Sequence, residues 1–340
     1  MDSYNHLPEL SGTAREQAWL RERLETLSVR EGIILSAVLA RQPPESAADA
    51  INRIQGLDDY EVCFPAGNHE QLGKFYLHHE AQIPEDALPY VDVWQIGQQY
   101  EEEHPGQFVG NCFVVYPGAE RKMTYSGQSA PLPEDRDWSV KLKLASPSVP
   151  EGVWLRLPDY TGAPGSGSVE TALALDRLCA RDLTECTLLD VQCVLPEAGS
   201  LKDQYENIAE LIQDGNNLGF VLDEQGQGEA LWMERFAAAL EFEGCHSLRF
   251  ALDISQNLQC YEYVPYGNLE PLAEEHLRAA GVSEMLLHSG CIDLHGYAED
   301  LLETSGYMLT GDESGYVTRN TREFVYEFSE DPSAAEMTME

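Results

Sequence analysis

The sequence predicts an α+β protein: an elongated, multi-domain chain of small antiparallel-sheet and helix modules, with a short helical module among them. Three observations carry that expectation. Runs at helical spacing and runs of strand alternation follow one another in short pieces. Polar breaks rich in Pro and Gly separate them, as at Pro117-Gly118 and Gly162 to Ser168. A strand, two-helix and strand order also occurs twice.

The elements follow in order. Ala18-Trp-Leu, Leu24, Leu27, Ile33, Ile34, Leu35, Val38 and Leu39 recur at helical spacing within residues 13 to 41, which Pro43-Pro44 closes. Ser46 caps a short helix over 47 to 54, and residues 60 to 64 read as a strand. Gly67-Asn68 turns into a helix through Leu72 and Leu77. Asp92 caps another, which ends at Tyr100-Glu-Glu-Glu103, and Phe108 to Tyr116 reads as one closing strand.

The same order returns downstream. Tyr261-Glu, Gly267-Asn268, Glu270, Leu272 and Leu277 match Tyr60-Glu, Gly67-Asn68, Glu70, Leu72 and Leu77. Asp293 and Gly306 match Asp92 and Gly106, bounding an acid-rich helix in each copy. Chance agreement of turn and cap residues is the plainer alternative.

Between the copies, two strands (140 to 145, 153 to 157), a helix (169 to 178) and a third strand (188 to 195) form a small sheet crossed by one helix. Tyr205 to Leu211 and Ala230 to Phe242 read as helices, joined by a loop around Gly215-Asn-Asn-Leu-Gly219. The expected domains are an N-terminal extension (1–120), a linker (121–138), the sheet and helix module (139–198), a helical module (199–245), an acidic α+β module (246–329) and a disordered tail (330–340).

Charge dominates the composition. Asp and Glu number 59 against 21 Lys and Arg, a formal charge of −38. Such a field repels nucleic acid and anionic membrane and attracts basic surfaces, DNA-binding proteins among them. The excess is uneven: residues 1–150 carry 23 acids and 12 bases, whereas 201–340 carry 28 and 6. Between Arg249 and Arg319 twelve acids face one base, Arg278. Like charges three and four residues apart on a helix cost a few tenths of a kcal/mol each, so Glu299, Asp300 and Glu303 invite a reason outside folding. Solubility, or a high-salt cytoplasm, is the duller account of the acidity; only five Lys fit the latter, but halophilic charge is spread evenly.

The eight Cys form no CxxC, the start has no basic-then-apolar leader, and the apolar run at 32 to 40 is too short to span a bilayer. Buried reduced thiols in a cytoplasmic protein are expected.

Motif chemistry is thin. Gly215 to Gly219 and Gly162 to Ser168 lack a Walker lysine and a GxGxxG. His78-His79 point apart on a helix, and His295 beside Asp293 and Glu299 reads more simply as a solvated helix end than as a metal or acid-base site. Fifty-nine acids guarantee carboxylate pairs by chance, so no catalytic set stands out. No enzyme, cofactor or metal is expected. At about one phosphate charge per 1.7 Å of duplex, 38 charges correspond to roughly twenty base pairs of B-DNA.

Ile292-Asp293, Tyr297-Ala298 and Asp300-Leu301, followed by a Gly turn and a strand, resemble the core of the ArdA antirestriction family of mobile elements. The resemblance covers about 139–320, including the order of sheet module, helical module and acidic module. It implies an elongated acidic homodimer that mimics bent B-DNA and blocks type I restriction-modification enzymes. Read together with the charge pattern, Asp293, Glu299, Asp300, Glu303, Asp312 and Glu313 are expected to stand in for phosphates, Asp293 and Asp300 being the two on the matching motif. Glu270, Glu274, Glu101, Glu102 and Glu103 join them from the same charge pattern, while Tyr297, Leu301 and Leu302 are core. The family pattern lacks an extension like 1–120, which leaves the target open. Inhibition of another DNA-binding defence enzyme, or an acidic assembly role, are the alternatives.

Overall fold

The computed structural model describes residues 4–79, 81, 84, 90–118, 125–127, 140–159, 169–196, 198–226 and 231–330. The chain divides into two compact units, Met1–Asp190 and Val191–Glu340. Among the described residues it is an α+β fold of thirteen helices and three antiparallel three-stranded sheets. None of these helices is long and apolar enough to cross a membrane.

The first unit opens with α1 (Ala14–Glu25), α2 (Val29–Arg41) and α3 (Ala47–Gln55). Thr13 with Glu16, and Ser28 with Glu31, form capping boxes that fix where α1 and α2 begin. Leu20, Ile34, Leu35, Ile51 and Leu57 bury their side chains together, each contributing about 2 kcal/mol of apolar burial. Next come β1 (Glu61–Cys63), α4 (His69–His79), α5 (Val93–Glu103), β2 (Gly106–Val109) and β3 (Cys112–Val115), with sheet order β1-β3-β2.

The closing segment is therefore a hairpin rather than the single strand expected at 108 to 116. Gly110, at φ +56°, makes the reversal that a β-branched residue would resist.

The sheet module has β4 (Val140–Ser146), β5 (Val149–Leu157), α6 (Val169–Leu178) and β6 (Thr187–Cys193), in the order β5-β4-β6. It is seated on α2. Glu31 takes Arg23 from α1 and, at 3.0 Å, Arg156 from β5. Burial raises the Glu31 carboxyl, but Arg23, Arg156 and Lys141 outweigh it and hold the group down at about 2.

The second unit has α7 (Leu201–Gln204), α8 (Ile208–Gly226), α9 (Trp232–Phe242) and α10 (Leu248–Gln256). Here the expected loop at Gly215 to Gly219 is the middle of α8. Leu211, Ile212, Gly215, Leu218, Gly219 and Leu222 share its buried side. Each Gly costs a helix about 1 kcal/mol, which tertiary packing overrides. Asp214 of the same helix binds Arg249 of α10 at 2.7 Å and Tyr205 at 2.9 Å.

Then follow β7 (Tyr261–Pro265), α11 (Leu269–Ala279), α12 (Glu284–Leu287), α13 (Leu294–Thr304), β8 (Met308–Leu309) and β9 (Gly315–Arg319), in sheet order β7-β9-β8. The repeat seen in the sequence is a repeat of fold, again ending in a hairpin rather than one strand. It also reaches further upstream. Ser46 caps α3 and Ser247 caps α10, both helices have nine residues, and a three-residue 3-10 turn leads each into β1 or β7.

After β9 the chain returns along α10. Asn257 pairs with the backbone of Val325 at 2.8 and 3.0 Å, and Asp253 takes the amides of Glu327, Phe328 and Ser329 at 2.8 to 2.9 Å. In the first unit Asn52 pairs with the backbone of Tyr125 in the same way, at 2.8 and 2.9 Å. Residues 125–127 of the expected linker are thus docked, and Tyr125 is buried. The other positions of 121–138, the loop at 162–168 and the tail from 331 lie outside the described residues.

Four cysteines are buried, Cys63, Cys112, Cys245 and Cys260. Cys179 and Cys291 are exposed, against the expectation of buried thiols throughout.

Candidate interaction surface

Asp293 is the N-cap of α13, its carboxylate accepting the Gly296 amide at 3.0 Å. The helix then turns Ala298 and Leu302 inward, beside Leu269, Ala273 and Tyr316. Tyr297, expected as core, packs only partly against this cluster, and its hydroxyl meets His276 at 2.9 Å. Leu301 is likewise only half-buried. An eleven-residue helix on a small sheet has room for one fully buried stripe, and Ala298 and Leu302 fill it.

The outer side of α13 carries the acids. Glu299 accepts the Tyr266 hydroxyl at 3.1 Å and has His295 at 3.6 Å. Asp300 and Glu303 are exposed. The bond to Glu299 raises the Tyr266 phenol, and Glu313 adds to the effect. Burial raises the Tyr316 phenol, reinforced by Glu299 and Glu303. Glu299 thus acts on both phenols, joined by Glu313 at Tyr266 and by Glu303 at Tyr316.

The turn itself is built by Asp312, which takes the Thr310 hydroxyl at 2.8 Å and the Ser314 amide at 3.0 Å. The Ser314 hydroxyl, with these two bonds, holds its carboxyl below the usual range. Asp312 is thus a turn residue first. Glu313 sits beside it at φ +57°, a conformation costing a non-Gly residue about 1–2 kcal/mol, with its side chain exposed.

The other expected acids separate into paired and unpaired. Glu274 lies 3.7 Å from Arg278, which also binds Glu284 at 2.5 Å. Glu270 is exposed in the first turn of α11. In the first unit Glu101 meets His69 at 2.6 Å and Glu103 takes the Gln99 amide at 2.9 Å, leaving Glu102 exposed. Among the described residues, Glu270, Asp300, Glu303 and Glu313 of the second unit form no salt bridge.

One carboxylate was not singled out by the sequence. Glu262 of β7 is exposed and accepts the Tyr307 hydroxyl at 2.7 Å. Burial, with this bond, pushes the Tyr307 phenol up to about 12. The signal was available, because alternation along Tyr261-Glu-Tyr places Glu262 outward when Tyr261 faces in.

No group of three or more His, Cys, Asp or Glu among the described residues is arranged to hold a metal ion. A polar cavity of about 630 Å³ lined by Gln42, Glu45, Ser46, Asp49, Asn52 and Arg53 belongs to the first unit, on other residues than these carboxylates. What the acidic surface can do chemically is attract and orient guanidinium and ammonium groups. No protein-family model, curated protein or solved structure matches the chain.

Proposed function

We propose that the protein is a DNA mimic that occupies the DNA-binding groove of a type I restriction-modification enzyme. The observation that carries this reading is that Asp300 and Glu303 of α13 and Glu313 of the hairpin turn are exposed and, among the described residues, form no salt bridge. Folding alone favours dispersing such charges, since each like-charged pair on a helix opposes it by a few tenths of a kcal/mol. Glu313 strengthens the argument, because Gly would adopt its backbone conformation at less cost. The resemblance to ArdA at Ile292 to Leu301 supports the choice of target, as does the order of a small sheet, a helical segment and an acidic module.

On this reading Glu299, Asp300, Glu303 and Glu313 meet basic residues that would otherwise hold phosphates. Asp293 and Asp312 contribute charge while holding a cap and a turn. Association is fast and weakens steeply with salt. The action is cytoplasmic, and the active form is a homodimer, which sedimentation of the purified chain checks directly.

The test is a plasmid-transformation assay in a host with a type I restriction system. The unaltered gene should protect unmodified plasmid. The triple change Glu299→Lys, Asp300→Lys, Glu303→Lys should lower protection at least about tenfold while leaving the folded signal intact. Full protection by a folded triple variant sinks the assignment.

A second reading has its own observation. Met285 is 83 % exposed beside half-exposed Leu286 on α12, more apolar surface than phosphate mimicry requires. It favours an acidic assembly protein whose partner does not bind DNA. Capture from host lysate with and without competing duplex separates the two: duplex displaces a DNA-binding target and leaves an assembly partner in place.

A further inference from the structure

The joint between α2, α6 and the β4–β5 pair contains a carboxyl that the proposed function does not use. Glu170, in the first turn of α6, is buried, and its Oε2 has no hydrogen-bond partner among the described residues. The charges that act on it are Arg30 and Glu31 of α2, Arg156 of β5 and Asp159 just after β5. Behind these, Arg23 of α1 and Lys141 of β4 act on Glu31, and Asp58 binds Arg156 at 3.0 Å.

The nearby cations are already engaged. Arg30 donates to the Tyr60 carbonyl at 2.6 Å, and Arg156 is shared by Glu31 and Asp58. Asp159 accepts the Thr171 amide at 3.2 Å and so serves the start of α6. Burial pushes the Glu170 carboxyl up to about 8, more than Arg30 can offset, and Asp159 and Glu31 add to the rise.

We infer that Glu170 is the proton-holding element of a pH-sensitive joint that keeps α6 and the sheet seated on α2. In the closed joint Glu170 carries its proton. When α6 lifts, the carboxyl reaches water and releases the proton, so a higher pH favours the lifted state. The sign follows from linkage: the folded group is raised above its ordinary value of 4.5, so closure is tightest below that value and weakens as pH climbs towards about 8. Glu31, held at about 2, stays charged across neutral pH, whereas burial raises the Asp159 carboxyl in the same direction as that of Glu170.

Amide hydrogen exchange of the full chain, corrected for the intrinsic rate, tests this. Exchange of α6 should speed up by about tenfold per pH unit from about pH 5.5 to 7.5 and level off above about 8. In Glu170→Gln the same amides should show a flat profile, while α4, which carries His69, His78 and His79, keeps its unaltered pH response. An α6 profile that rises equally in Glu170→Gln overturns the proposal. Should that variant fail to fold, carboxyl ¹³C titration of the unaltered chain decides: a Glu170 midpoint near 8 upholds the joint, and one near the ordinary glutamate value of about 4.3 overturns it.

Discussion

The two copies of the strand, helix-pair and hairpin motif differ most where their helices cross. In the first copy α4 and α5 meet through Gly73 and Gly97. A Cβ at Gly73 would lie 1.9 Å from the Val93 carbonyl oxygen, and one at Gly97 would lie 1.9 Å from that of His69. In the second copy the corresponding residues are Ala273 and Ala298, both fully buried. The first crossing is backbone on backbone; the second accommodates methyl groups. Their surfaces diverge too. Lys74 binds Glu70 at 2.7 Å and His69 binds Glu101 in the first copy, whereas α13 of the second carries Asp300 and Glu303 with no salt bridge among the described residues. Both copies are acidic, with nine acids against one base in 60–116 and eleven against two in 261–319, so what differs is which carboxylates are paired.

The largest expected break lies at the crossing. Gly97→Ala should destabilise the first unit by about 3 kcal/mol or more, since backbone must move to admit the methyl group. Ala298→Gly in the second should cost only about 1 kcal/mol. Denaturant unfolding followed separately for each unit measures both, and equal losses would show that the crossings are alike.

Next comes acid. Glu31 is held at about 2, so its contribution is present above the ordinary value of 4.5 and is lost as pH falls towards 2. The first unit should lose roughly 2–3 kcal/mol over that range through this group. Glu31→Gln should remove that slope, read from unfolding midpoints at stepped pH.

The clamps behind the hairpins sharpen the comparison further. Asp253→Ala leaves the amides of Glu327, Phe328 and Ser329 without their acceptor and should cost about 2–3 kcal/mol. Asn52→Ala strips two bonds from Tyr125 and should cost about 1–2 kcal/mol. Limited proteolysis after each hairpin reports the release.

The smallest effect on folding is at Glu313. Glu313→Gly should leave stability unchanged or raise it by up to about 1 kcal/mol, because the left-handed backbone suits Gly. Protection in the transformation assay should nevertheless fall. A variant that is both as stable and as protective would remove Glu313 from the surface.

Much of this was legible in residues that act locally. Ser46, Asp92 and Asp293 announce helix starts because a cap needs only its own next turn, and all three cap as expected. Gly215 and Gly219 misled for the opposite reason. Their meaning depends on burial along α8 and on the neighbouring α10, which spacing within the segment does not reveal. The hairpins were read as single strands because reversals at Gly110 and at Glu313 break so few residues. Of the acidic set, the sequence located the charges but not which were engaged, and Glu31, Asp253 and Asn52 work through partners far along the chain.

The inward use of cations has a consequence for handling the protein. Lys141 is 1 % exposed and Arg23 is 8 % exposed, so solvent meets a skin poorer in bases than the composition states. Added electrolyte should therefore relieve repulsion across that skin and favour the folded chain, while the Glu31 pairs inside stay shielded from it. The same electrolyte loosens any grip on a cationic groove. Folding and capture would then respond to ionic strength with opposite slopes, and a single titration of one sample can tell them apart.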